Sequence, residues 1–196
     1  MTPDPRDLPK IWFLRHGQTD WNAIRRIQGQ LNSDLTERGI QDAETQARLI
    51  QPILATNPQC YVSPLRRAQQ TAQIALAGHT YSNDTRLAEA HAGDWQGRLR
   101  KDVLQDHPDL SAPDISPLEL YLKAPGGEGL DQFRARILSF LSDLTAPSVI
   151  VGHGLWGQVM RGFVRGLTWE ETTRLTNEQA CIYVMENRTE TVLREL

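Results

Sequence analysis

A chain of 196 residues, 39% of them hydrophobic, is long enough for one domain with a full core, because about 150 residues per domain is the usual allowance. Its formal net charge of −3 and pI near 6.0 exclude a global attraction for nucleic acid or anionic membrane, so any basic site has to be a local cluster. Cys60 and Cys181 match no metal or redox spacing and read as reduced thiols. The Pro- and acid-containing first ten residues do not resemble a signal peptide, and no apolar run approaches the roughly 20 residues of a membrane span, so the expected location is cytoplasmic.

In chain order, the apolar run Ile11-Trp-Phe-Leu14 predicts a buried strand that ends abruptly in Arg15, His16 and Gly17. Open α/β sheets hold ligands at such carboxyl edges, and Gly17 lets the backbone turn close to a bound group. Gln18 to Leu35 is polar and too long for a tight turn, which suggests a binding loop. Thr36 caps a helix over 36–54, with Ile40, Ala43, Ala47, Ile50 and Ile53 at helical spacing. Residues 59–62 predict a short strand. Ser63 and Pro64 read as N-cap and first residue of a helix running to Gly78.

Residues 79–128 are least regular: a strand at 80–82, an acidic loop around Glu89, and a Pro-rich stretch from His107 to Pro117. Short helices and an excursion over the site are expected there, with 98–124 acting as a lid. A helix of about four turns follows over 130–144, then a buried strand at 148–152 that ends in His153 and Gly154, and a helix closing at Gly166. Residues 180–185 and 191–193 alternate as a final strand pair across Asn187 and Arg188. Strands alternating with helices imply an α/β three-layer sandwich with a mostly parallel central sheet flanked by helices.

Two apolar strands that each finish in His-Gly would bring His16 and His153 to one sheet edge if they run parallel. Arg15, and Arg66-Arg67 in the first turn of a helix, would add guanidinium forks suited to a phosphate dianion. Helical geometry does not choose between Arg66 and Arg67. His79, His91 and His107 read as surface or rim residues. No H-E-x-x-H or comparable cluster is present, so no metal site and no cofactor is expected.

The stretch Leu14-Arg-His-Gly-Gln-Thr-Asp-Trp-Asn22 resembles the signature of the histidine phosphatase superfamily, which includes cofactor-dependent phosphoglycerate mutase. Arg26-Ile-Gln-Gly29, Ser63-Pro-Leu-Arg-Arg-Ala68, Leu87-Ala-Glu89 with Gly93-Asp-Trp-Gln-Gly97, Pro125-Gly-Gly-Glu128 and Val151-Gly-His-Gly154 follow in the family's order. The resemblance implies a single phosphoglycerate mutase-like domain and a phosphohistidine mechanism. In it His16 is the nucleophile, Arg15, Arg67 and His153 bind phosphoryl oxygens, and Glu89 is the proton donor. It further places Asn22, Gln28, Gly29 and Gly154 on the substrate, and selects Arg67 over Arg66.

Departures from the family pattern bear on the substrate. Asn32 and Asp34 stand where many relatives have Asp and Pro. Gly129 stands where many have Ser, which removes a helix N-cap hydrogen bond. Pro125 follows Glu89 by only 36 positions, with no adjacent Arg pair between them, whereas mutases carry a longer insertion with one. The expectation is therefore a phosphomonoesterase acting on a small phosphorylated metabolite, without nucleic acid or membrane partners. Gln28, Trp95, Tyr121 and Trp156 are candidates for selectivity, the aromatics equally for packing. The alternatives are a phosphoglycerate mutase and a non-catalytic phospho-ligand binding or regulatory protein. Oligomeric state, a homodimer included, is not readable from the sequence.

Overall fold

The computed structural model describes residues 2–111 and 115–195. Four segments become parallel strands: β1 (Ile11–Arg15), β2 (Gln59–Val62), β3 (Ser82–Asn83) and β4 (Ser148–Gly152). β5 (Ile182–Glu186) and β6 (Thr189–Leu193) add antiparallel pairs on one side, giving a six-stranded sheet in the order β3-β2-β4-β1-β5-β6. The helices are α1 (Asp20–Ala23), α2 (Glu37–Leu54), α3 (Arg66–Ala75), α4 (Arg100–Asp106), α5 (Pro117–Leu122), α6 (Gly129–Ser142), α7 (Gly154–Arg165) and α8 (Trp169–Thr173).

Side chains alternate across a strand, and β1 and β4 are apolar on both faces because helices cover both. Ile11, Phe13 and Ile150 pack with Phe133, Ile137 and Phe140 of α6 and Trp156 and Met160 of α7. Trp12, Leu14, Val149 and Val151 pack on the other side with Ile50 and Leu54 of α2 and Ala68, Ala72 and Ala75 of α3. These are the three layers expected. A smaller core of Ile27, Trp95, Val103, Leu110 and Leu120 lies under α4 and α5. The proposed lid segment 98–124 supplies part of that core; its residues 112–114, within the Pro-rich stretch, lie outside the described residues.

Pairing of β1 with β4 sets Arg15 opposite Gly152, and the His16 N–H extends the ladder to the Gly152 carbonyl at 3.0 Å. His16 and His153 thus leave adjacent parallel strands at one edge. Several boundaries differ from expectation. α3 begins at Arg66 with Leu65 as an N-cap that makes no side-chain bond. Ser63 is not that cap: its hydroxyl is taken by His153 at 2.7 Å, while the Arg66 N–H finds Asn32 Oδ1 at 3.3 Å. The strand expected at 80–82 is Ser82–Asn83, and the loop 18–35 contains the short α1, closed by a Thr19/Asn22 capping box. α8, capped by Thr168, went unread. The final hairpin turns at Asn187 and Arg188 as expected, both at positive φ (49° and 62°), the geometry of a two-residue turn that matches strand twist.

Candidate active site

His16 is fixed by both ring nitrogens. Nδ1 lies 2.7 Å from the Gly17 carbonyl, which can only accept, so Nδ1 carries the proton. Nε2 is left with its lone pair and accepts from Arg67 Nε at 3.2 Å. Burial, then the charges of Arg67 and Arg15, hold this imidazole well below 6.5. The Arg67 guanidinium donates also to the Leu31 carbonyl at 2.9 Å and the Gly29 carbonyl at 2.8 Å, and its burial brings its pKa down to about 10. Arg66, by contrast, is exposed and paired with Asp34 at 2.7 Å. The geometry therefore turns Arg67, not its neighbour, toward His16.

His153 sits with its ring centroid 5.2 Å from that of His16. Ser63 Oγ accepts from the Leu65 N–H at 3.3 Å and lies 2.7 Å from His153 Nε2. This contact occupies Nε2 and leaves His153 Nδ1, a buried atom, without a partner. Burial and Arg67 hold this imidazole well below 6.5 as well. Arg15 donates to the Asn177 carbonyl, while its Nε is buried and unpartnered, and its pKa is lowered by burial. A Cβ on Gly154 would stand 3.1 Å from Arg15 Nε, so the missing side chain gives that guanidinium its room. The buried Arg67 and half-buried Arg15 guanidiniums thus stand near His16 with carbonyls rather than carboxylates as their hydrogen-bond partners.

Glu89 is buried and anchored on the first turn of α7. Its Oε1 accepts from the Ala90 N–H and the Trp156 N–H, both at 3.0 Å, and its Oε2 from the Leu155 N–H at 3.0 Å. The start of α7 is thus occupied by this carboxylate, which satisfies N–H groups that a helix cannot pair internally. The segment that carries Glu89 is clamped from behind by Arg136 of α6. Arg136 donates to the carbonyls of Arg86 (2.7 Å), Ala88 (2.6 Å) and Glu89 (2.9 Å) and to both oxygens of Glu128 (2.8 Å each).

A cavity of about 360 Å³ opens over these groups, with Arg15, His16, Asn22, Gln28, Arg67, Glu89 and Gly154 in its lining. Asn22 Oδ1 accepts from the Thr19 N–H at 3.1 Å, which leaves the amide NH2 to donate. Gly29 is not in the lining; its carbonyl holds Arg67, and its positive φ of 54° sets that carbonyl. Gly17 makes its close approach to α2 and not to a bound group, since a Cβ there would lie 2.1 Å from the Gly39 carbonyl. Of the residues expected to govern selectivity, Gln28 and Tyr121 line the cavity, whereas Trp95 and Trp156 are packed in cores. His79 is exposed and His91 and His107 half-buried, away from the lining. Sequence reasoning missed Gln158, Thr173, Leu175 and Asn177, which the α7–α8 region folds over the site. It also missed Arg136, which only its position on α6 reveals. Among the described residues no group of three or more His, Cys, Asp or Glu could hold a metal ion, and no helix is long and apolar enough to cross a membrane.

The family model described as histidine phosphatase superfamily (branch 1) matches residues 11–194. The chain is 43% identical over 166 residues to a glucosyl-3-phosphoglycerate phosphatase of Mycolicibacterium vanbaalenii, spanning 74% of this chain and 69% of that protein. It is 30% identical over 161 residues to a metal-independent phosphoserine phosphatase of Arabidopsis thaliana, spanning 76% of this chain and 65% of that protein. Among solved structures it is similar to Bacillus stearothermophilus YhfR, with a TM-score of 0.79 and 27% identity over 95% of this chain and 96% of the other.

Proposed function

The chain belongs to the histidine phosphatase superfamily, and from that premise we propose that it hydrolyses a small phosphomonoester through a phosphohistidine on His16. The observation that carries this reading is the state of the His16 ring: its proton is committed to the Gly17 carbonyl and Nε2 faces Arg67 with a lone pair. An unprotonated, oriented imidazole is a competent nucleophile. Arg15, Arg67, the Asn22 amide and His153 Nδ1 supply positive charge and donors for the phosphoryl oxygens. Phosphoryl transfer needs little more than positioning and charge stabilisation.

In the first step the Nε2–phosphorus bond forms as the ester P–O bond breaks, and the leaving alkoxide takes a proton from Glu89. Oε1 already accepts two N–H bonds and Oε2 one, so Oε2 retains a lone pair for that proton. In the second step water attacks phosphorus, Glu89 takes the water proton, and the P–N bond breaks to return Nε2 and release inorganic phosphate. The phosphatase names of the relatives and the short interval between Glu89 and Pro125 support hydrolysis over transfer to a second substrate position.

The test is hydrolysis of p-nitrophenyl phosphate in excess EDTA, with an acid-labile phosphoenzyme trapped on quenching. His16→Ala should lower turnover by at least about a thousandfold and abolish the trapped species; full activity in that variant would sink the proposal. Glu89→Gln should lose on the order of a hundredfold or more on alkyl phosphates and less on p-nitrophenyl phosphate, whose leaving group hardly needs a proton.

A further inference from the structure

The phosphoryl end of the cavity uses Arg15, Arg67 and Glu89, and among the described residues these are the charged side chains in its lining. The rest of the wall is neutral. Gln28 is buried, and its Oε1 has no partner. Its side-chain amide belongs to the cavity lining and makes no hydrogen bond to a charged group. Next to it, Tyr121 Oη accepts from the Gln28 N–H at 3.2 Å, which leaves the phenol proton to donate. Burial pushes the Tyr121 pKa up and keeps that proton in place. A neutral amide and a neutral phenol on adjoining residues match an alcohol, which both donates and accepts. Leu155, Leu175 and Pro117 complete the wall with apolar surface, suited to the C–H faces of a polyol or sugar.

We infer that this wall selects an uncharged, hydroxyl-bearing leaving group, a polyol or sugar phosphate, whose hydroxyls meet the neutral side chains of Gln28 and Tyr121, and discriminates against esters that carry a carboxylate. The inference rests on the phosphomonoesterase reading and names its substrate class. A carboxylate entering this space would be desolvated without a cation of its own and would compete with the phosphoryl group for Arg15 and Arg67.

Glycerol 3-phosphate and 3-phosphoglycerate differ only in a terminal CH2OH against a carboxylate. The expected ratio of their kcat/KM values is at least tenfold in favour of glycerol 3-phosphate, with p-nitrophenyl phosphate hydrolysed in parallel. A ratio near one, or inverted, alongside good p-nitrophenyl phosphate turnover would overturn the inference while leaving the phosphatase reading intact. Absence of turnover on all three would instead count against that reading. Calorimetric titration of the two natural esters would then decide the selectivity, at least tenfold tighter binding of glycerol 3-phosphate sustaining it and equal binding overturning it. In Gln28→Lys, which sets a cation on the wall, the ratio should fall at least tenfold. Because it compares two substrates on one variant, partial misfolding cancels, and an unchanged ratio would overturn the assignment of Gln28.

Discussion

A histidine kept neutral by burial binds a proton more weakly in the folded chain than in the unfolded one. His16 and His153 are both in this state, held well below 6.5 by burial first and by Arg67 next. Above pH 6.5 neither folded nor unfolded imidazole is protonated, and the stability of the neutral pair is fully present. As pH falls through 6.5 the unfolded chain takes up protons that the folded chain refuses, so stability is lost progressively toward the depressed folded values. Each histidine contributes a slope of about 1.4 kcal/mol per pH unit in that window. Urea unfolding in phosphate-free buffer should therefore show stability falling below pH 6.5, and His16→Asn should reduce the slope by about 1.4 kcal/mol per pH unit. An unchanged slope in the variant would show that His16 is protonated as readily in the fold as out of it.

At the scale of elements, the decisive contacts join segments remote in sequence. α6 supplies Arg136, whose five donors tie the Arg86–Glu89 segment and Glu128 together, and α7 receives the carboxylate that segment carries. Arg136 does not line the cavity and meets Glu89 only at its backbone carbonyl; its work on Glu89 is positioning. Arg136→Lys cannot reproduce five directed bonds. The expected result is a fall of about ten- to a hundredfold in kcat for alkyl phosphates, with a smaller fall for p-nitrophenyl phosphate. A merely destabilised protein would lose both in proportion, and that outcome would remove Arg136 from this role. Gly129, expected to cost α6 its N-cap bond, does begin a helix whose N-cap Glu128 makes no side-chain cap bond; the Glu128 carboxylate is spent on Arg136 and the His91 N–H.

For the whole molecule, a site whose two guanidiniums hydrogen-bond to carbonyls rather than carboxylates should be stabilised by a dianion. Inorganic phosphate at a hundred times its Kd adds about 2.7 kcal/mol, which for a chain of this size corresponds to a rise of about 5 to 10 °C in Tm. Arg67→Met should lose most of that rise, as read by thermal unfolding across a phosphate titration. A rise equal to that of the wild type would mean that phosphate binds elsewhere.

The sequence by itself determined the layers and the edge. Period-two and period-3.6 apolar patterns are local properties, and they placed β1, β4, α2, α6 and α7 within a few residues. Two His-Gly pairs at strand ends pointed to the sheet edge over which the cavity opens. It did not determine the partners of those histidines. Arg66 and Arg67 look alike in the chain, and only the fold gives one the Gly29 and Leu31 carbonyls and the His16 ring and leaves the other to Asp34. Ser63 reads as a helix cap until β4 brings His153 to within 2.7 Å of its hydroxyl. Gly17 reads as room for a ligand until α2 crosses it at Gly39. Arg136 and the α7–α8 wall gave no sequence signal at all, because a side chain that bonds distant carbonyls or lines a cavity obeys no local period. These contacts depend on how close two packed elements come, a distance that the tertiary structure alone sets.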